Sequence, residues 1–482
     1  MIRAADSRLE WRIALTVIIG MSLGIAGYAA SGQLPWLAIG PAVLVAWIGL
    51  RDLRLLFGLL LCTIPVSMEL MVTDSLGTDM PDEPLMWVFT VVLLLGAAAG
   101  KLPGSSRKFS RWVLFLLILQ VMWIALSCLM SPQPLLSAKY LAAKLWYLAA
   151  FTGGAWLFIR RVRDVRWAAW CLLIPLSLAV GWVFFRHGQS GFAFDQVNAA
   201  VQPLYRNHVN YGALLAVLLP LAILLWVQQR RHRFILGILI GWFSLGLLFS
   251  YSRGAWLAIG VGVLTALALR GRWLMGALAL VAISLVLGLA WLARENRYLA
   301  FRPDFDRTIY HQDFRKHLQA TYRLKDLSTV ERFHRWIAGV RMVEDRPWTG
   351  HGPNRFYPAY KPYTVRAFRT YVSDNPEHST VHNYFLLLAV EQGLPGCLLF
   401  ILLLWAMFSR VSRAYQASTR SEEKQVWMTV AVMLSIMVWL NMLSDLVETD
   451  KIGSLFLLCL GLLLNREGPE EGNGKEYPKL AA

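Results

Sequence analysis

Five side chains stand out because their types and settings are those of chemistry rather than packing. Residues 234–269, "FILGILIGWFSLGLLFSYSRGAWLAIGVGVLTALAL", form a 36-residue apolar stretch with one charge, Arg253. A charge at the centre of a bilayer costs about 2.5–3.5 kcal/mol on insertion scales, so an arginine there needs a structural or functional reason. Further on, "STVERFHRWIAGVRMVEDRP" holds Arg332 and Arg335, and "EHSTVHNYF" holds His378 and His382. A histidine at the start of a helix is favoured in its neutral form by the positive end of the helix dipole and, with a near-neutral pKa, can take a proton as general base. His378 and His382 are four apart and could share a helix face to bind a metal, but no HExxH and no third ligand accompanies them, so no metal site is assigned. The competing readings are bland: Arg332 and Arg335 as a solvated helix face, and His382 as a hydrogen-bonded interfacial histidine.

The elements that must position these residues are membrane spans. Of 482 residues, 57% are hydrophobic and 16% charged, and apolar runs of membrane-crossing length recur. The fold class expected is an all-α polytopic membrane protein, because helices pair every backbone group within their own segment. A β-barrel is disfavoured, since the runs are continuous rather than alternating. Candidate spans are 11–30, 33–50, 54–73, 85–100, 112–130, 140–159, 165–185, 209–228, 234–250, 254–270, 273–293, 383–409, 426–446 and 452–465. The chain divides into N-terminal transmembrane helices (1–293), a loop domain (294–381), C-terminal transmembrane helices (382–465) and a polar tail (466–482). The five cysteines, Cys62, Cys128, Cys171, Cys397 and Cys459, fall in apolar spans without disulfide or zinc spacing.

The formal charge of +17 is mostly that of basic loops such as "RRVRDVR" and "QQRRHR". With the N-terminus inside, every strongly basic short loop falls on one side. An odd number of spans then precedes residue 294 and places 294–381 outside, which in a bacterium is the periplasm. "SYSRG" becomes an outside turn, with Gly254 suited to it, and Arg253 lies at the outer membrane surface. Few basic residues share that side in short loops: Lys139, Arg186, Arg206, Arg253 and Lys451. For Arg186 and Lys451, snorkelling to the interface is an equal reading. Within 294–381, Ser328 and Glu331 have capping-box spacing. Val330, Phe333, Ile337, Val340 and Val343 recur at helical spacing as an apolar face, leaving Arg332, His334 and Arg335 off it. "PWTGHGPNRFYPAY" reads as a stretch that positions backbone.

Together, "SRGAWLA" (252–258), "ERFHRW" with "DRPWTGHGPNRF" (331–356), and "HNYFLLLAVEQGLPG" (382–396) resemble the O-antigen ligase and polymerase family of bacterial inner membranes. The resemblance implies a GT-C-type glycosyltransferase with about 12–14 transmembrane helices and one large periplasmic helical loop. Its donor would be a glycan on undecaprenyl diphosphate and, for a ligase, its acceptor a sugar of lipid A-core oligosaccharide. By residue match, Arg253 and Arg332 look like essential diphosphate-binding arginines and His382 like the essential histidine. Asp445 in "NMLSDLVET" is a further acidic match. Arg206, Arg335, Lys139 and Lys144 would extend the anionic pocket. Arginine donors suit phosphate oxygens, so a metal-independent, inverting transfer without cofactor is expected. The partners are the lipid-linked donor, the acceptor and membrane lipids, not nucleic acid. Polymerase, pilin-type oligosaccharyltransferase and, in another class, a lipid or glycan transporter are the alternatives; no repeated halves or paired broken helices favour the last.

Overall fold

The structure, a computed structural model, describes residues 52–73, 76–99, 110–294, 327–365, 373, 375 and 379–465. The expected spans 11–30 and 33–50, His378 and the tail 466–482 lie outside the described residues. The chain splits into two compact units, Met1–Ser106 with Gly472–Ala482, and Arg107–Glu471.

In the first unit, α1 (Leu53–Thr63) starts at Asp52, whose carboxylate accepts from the backbone N–H groups of Arg54 and Leu55. The expected span 54–73 is not one helix. Pro65 cannot continue α1, and the chain turns into an antiparallel hairpin of β1 (Met68–Thr73) and β2 (Leu76–Met80), with Met68 opposite Met80. α2 (Asp82–Ala98) packs on α1 through Phe57 and Phe89, 5.5 Å apart.

In the second unit the regular elements among the described residues are all helices. α3 (Arg111–Leu129) leads to α4 (Pro134–Tyr147), which opens with proline at its first position. A π-helical stretch, Leu148–Gly153, joins α4 to α5 (Gly154–Phe158). Then come α6 (Val162–Gln189), the short α7 (Val197–Val201), α8 (His208–Gln228), α9 (Arg233–Phe249), α10 (Arg253–Arg270) and α11 (Leu274–Ala293). Beyond the undescribed stretch lie α12 (Leu327–Asp345), the one-turn α13 (Phe356–Ala359), α14 (Tyr384–Ala417), α15 (Ser421–Leu443) and α16 (Asp450–Leu464).

Among the described residues, seven helices are long and apolar enough to cross a membrane. α8 is the central one, packed on α6, α9, α10 and α15. It is apolar on all sides, as a helix surrounded by others must be. α16 has 15 residues, fewer than a full crossing needs, and nearly all are buried against the π-helical stretch. There Gly461 lies so near the Thr152 carbonyl that a Cβ would fall 2.5 Å from it. Outward-facing leucines and isoleucines such as Leu257, Leu264 and Ile283 are more than half exposed. A water-soluble protein rarely leaves so many together. The chain is a multi-pass membrane protein.

Candidate functional site

The site forms where several helix ends meet. Asn383 caps α14, its side-chain oxygen accepting from Leu386 N–H at 3.0 Å. The same side chain donates to the Met442 carbonyl at 3.1 Å, and Tyr384 N–H donates to the Ser444 carbonyl at 3.1 Å. The start of α14 is thereby pinned to the end of α15. His382, just before the cap, has φ +54°, a left-handed conformation in which histidine is enriched among non-glycine residues. Fixed on both sides, its ring has little freedom to choose partners.

Its partner is on α12. Arg335 Nη1 lies 2.7 Å from His382 Nε2 and 3.4 Å from the Thr380 carbonyl, and Arg335 Nη2 lies 3.5 Å from Glu331 Oε2. Ser373 donates to Glu331 Oε1 at 2.7 Å. A guanidinium has donors only, so Nε2 accepts. The imidazole is then neutral, with its proton on Nδ1. Burial, followed by the charges of Arg335, Arg332 and Arg206, lowers the His382 pKa to about 3. The near-neutral value expected from sequence is corrected: a buried ring facing three cations resists becoming a fourth.

α12 also corrects the assignment of faces. Its buried side is Glu331, His334, Arg335, Ala338 and Met342; of the expected core face, Val330 is buried, Phe333, Ile337 and Val343 are half-buried, and Val340 is 49% exposed. Arg335 is 6% exposed, so the solvated-face reading fails for it. A buried charge must find partners, and Arg335 finds them in His382, Thr380 and Glu331. Gly339 permits the close packing, since a Cβ there would sit 3.0 Å from Leu386 and 3.2 Å from Val381. The capping-box pairing is also displaced. The helix begins at Leu327, and the Glu331 carboxylate serves Ser373 and Arg335.

Arg253 and Arg206 reach the same end of the bundle. Arg253 opens α10, and the next carbonyl, of Gly254, accepts from Trp439 Nε1 of α15 at 3.1 Å. Gly254 is helical; the left-handed residue of the turn is Tyr251, at φ +53°. Gly212 near the start of α8 meets this turn, a Cβ there falling 2.7 Å from Ser252 Cβ. Arg206 lies just ahead of Asn207, the N-cap of α8, and its charge acts on both His382 and Asp445. Lys139 is exposed on α4. Arg186 donates to the Gln202 carbonyl and lies over Trp182, while Lys451 pairs with Asp450 at 3.1 Å and lies over Tyr205. Both act as anchors.

An acidic centre that sequence reading missed lies beside the arginines. Glu448 Oε1 and Oε2 accept from Lys144 Nζ at 2.9 and 3.1 Å, and Oε1 accepts from Tyr140 at 3.0 Å. Tyr384 donates to the same carboxylate. Burial alone would raise the Glu448 pKa; the Lys144 charge and the donated hydrogen bonds outweigh it and hold the carboxyl below its ordinary value. Lys144 is therefore committed to Glu448. Asp445 is shifted the other way: burial and the Glu448 charge raise it, opposed by a hydrogen bond from Thr380 and by Arg206. Glu448→Ala leaves Lys144 facing two tyrosines without its counter-ion. It is expected to cost about 3 kcal/mol, the low end for removing one partner of a buried pair, because these side chains are 19% and 22% exposed. Thermal unfolding in detergent measures it, with Glu448→Gln falling between the two. An unchanged midpoint for the alanine variant would discount this cluster as a structural support.

Behind the site, "PWTGHGPNRF" positions backbone, as its composition indicates. α14 is interrupted at Gly393, whose φ of +72° and ψ of 176° lie outside the helical region. Carbonyls freed there accept from the loop: His351 N–H to Val390 at 2.8 Å and Gly352 N–H to Glu391 at 2.9 Å. Leu394 N–H returns to the Pro347 carbonyl at 2.7 Å. The Glu391 carboxylate accepts from the N–H groups of Asn354, Arg355 and Phe356 at 2.9–3.1 Å, capping α13. On the other side, Ser137 of α4 donates to the Pro353 carbonyl, and Trp123 of α3 donates to the Gln392 carbonyl.

Among the described residues, no group of three or more His, Cys, Asp or Glu side chains is arranged to hold a metal. The arrangement has three arginine charges around a neutral imidazole, with the Glu331 carboxylate paired to Arg335 and Asp445 under the influence of Arg206. It can hold an anion and move a proton. No curated protein matches the chain. Residues 238–401, from α9 into α14, match the family model described as O-antigen ligase. Arg253, Arg332, Arg335 and His382 fall inside the match, whereas Lys144, Arg206, Asp445 and Glu448 fall outside it. Through this stretch, about a third of its length, the chain is similar to the O-antigen ligase family.

Proposed function

We propose that the protein is an O-antigen ligase of the GT-C type. It transfers a glycan from undecaprenyl diphosphate to a sugar of lipid A-core oligosaccharide at the periplasmic face of the inner membrane. The observation that carries this reading is the gathering of Arg335, Arg332 and Arg206 charges on His382, within a bundle bearing the family's matched segment. Arg253 and Arg332 bind the diphosphate, with Arg206 and Arg335 beside them. His382 takes the proton of the acceptor hydroxyl. The acceptor oxygen bonds to the anomeric carbon, the carbon–oxygen bond to phosphate breaks, and its electron pair leaves on the diphosphate. The arginines stabilise the charge that develops there, and in a low-dielectric site they do so more strongly than in water. Attack from the face opposite the leaving group inverts the anomeric centre. A divalent metal is unnecessary where fixed guanidinium groups already neutralise the leaving group.

Purified protein mixed with lipid-linked glycan and lipid A-core, without nucleotide, is expected to give lipopolysaccharide bearing a glycan ladder, unchanged by EDTA. Longer lipid-linked glycan with no transfer to the core would identify a polymerase instead. Translocation without any bond change would identify a transporter.

A further inference from the structure

A neutral imidazole has one acceptor nitrogen, and in His382 that nitrogen is taken. With Nε2 accepting from Arg335 at 2.7 Å and the proton on Nδ1, neither nitrogen can receive a proton from an acceptor hydroxyl. The residue proposed as base is held in a form that cannot act as one. We infer that Arg335 is a clasp on His382 that passes to the donor's diphosphate, so that donor binding itself frees the base. This rests on the diphosphate reading of the site and adds an order to it: the donor must bind before the acceptor hydroxyl can be deprotonated.

The geometry allows the exchange. Arg335 is anchored by Glu331 through Nη2 at 3.5 Å, and its contact with the Thr380 carbonyl, at 3.4 Å, is long. The strong contact is the one to the imidazole. A guanidinium–phosphate hydrogen bond has charge on both partners and is about twice as strong as one between neutral groups. A diphosphate beside Arg332 and Arg206 would therefore draw Nη1 away from the ring.

The groups facing His382 set the sign of the accompanying proton linkage. α12 contributes Arg335, Arg332 and Glu331; the lead into α8 contributes Arg206; the segment after α15 contributes Asp445, which Thr380 hydrogen-bonds, and Glu448 beyond it. Burial, and then the cations, which outweigh these carboxylates, keep the ring neutral well below pH 5. A diphosphate placed among them reverses the local field, and the lost hydrogen bond restores the acceptor nitrogen. Both changes raise the imidazole pKa toward its ordinary value of about 6.5. A group that is deprotonated in the free protein and more basic in the complex takes up protons on binding.

The full-length protein in detergent is titrated with undecaprenyl diphosphate at pH 6 by calorimetry, in buffers of different ionisation enthalpy. This lipid carries no glycan and cannot react. Wild type is expected to take up roughly half a proton or more per site in excess of His382→Asn, which corrects for ionisation of the diphosphate itself. Arg335→Gln removes the clasp and one of the cations, so its excess uptake should fall to less than half that of wild type. Excess uptake in Arg335→Gln equal to that of wild type would overturn the clasp. Binding with equal proton counts in wild type and His382→Asn would overturn the clasp while leaving the diphosphate reading in place. No binding of the lipid to wild type would overturn that reading, and the clasp with it.

Discussion

His382→Asn is expected to lower glycan transfer by about two to four orders of magnitude, the range for losing a positioned general base, while the protein stays folded. Asparagine is chosen because it tolerates the left-handed backbone of this position, φ +54°; alanine does so less readily. Its amide matches the Nδ1 edge of the ring and stops short of Nε2, so the Arg335 contact is given up while the Asn383 and Tyr384 hydrogen bonds still pin the start of α14. Loss of activity would therefore report proton transfer rather than collapse of the helix junction. Arg253→Ala should lose about two to three orders of magnitude, as for removal of one donor to a developing oxyanion. Transfer is followed by the lipopolysaccharide ladder, and folding by the thermal midpoint. Transfer by His382→Asn within threefold of wild type would remove the histidine from the mechanism.

The largest structural effect is expected at Gly393. Its φ and ψ lie in a region essentially reserved for glycine, worth about 1–3 kcal/mol against any other residue. A Cβ there would also sit 2.3 Å from the Trp348 carbonyl oxygen, which is backbone and cannot rotate away. Gly393→Ala should therefore lose about 3 kcal/mol or more, separating the 347–355 loop from α14 and lowering the yield of folded protein. Gly260→Ala is the matched control. Gly260 is helical, and nothing lies within 4 Å of its added Cβ, so the change should stabilise by roughly 0.5–1 kcal/mol. Thermal midpoints of the two variants should move in opposite directions. A Gly393→Ala protein as stable as wild type would show that the interruption of α14 can relax at no cost.

The sequence made some parts legible and concealed others for physical reasons. Of the ten spans expected after residue 110, seven are helices long and apolar enough to cross a membrane and followed from hydropathy. Of the others, 140–159 is interrupted by the π-helical stretch, 273–293 answers to α11, which is not among the seven, and 452–465 to the 15-residue α16. The break of 54–73 lay in Pro65, which hydropathy ignores. Arg253 stood out because a lone charge among leucines is rare. Arg335 was ranked below Arg332 because the motif match singled out Arg332, while periodicity left both off the apolar stripe; α12 turns Arg335 inward. Glu448 was missed because its cation, Lys144, lies 304 residues away. Nothing local in "LVETD" separates a buried carboxylate from a solvated one. Its neighbour Asp445, chosen by motif, does join the site, but through Thr380.

α12 turns Glu331, His334 and Arg335 inward beside Ala338 and Met342 and leaves Val340 uncovered. A substitution on the inward side alters the surroundings of His382 directly, whereas one at Val340 does not. Sensitivity to substitution along α12 should therefore recur every three to four residues in step with its buried polar positions, and not with its valines.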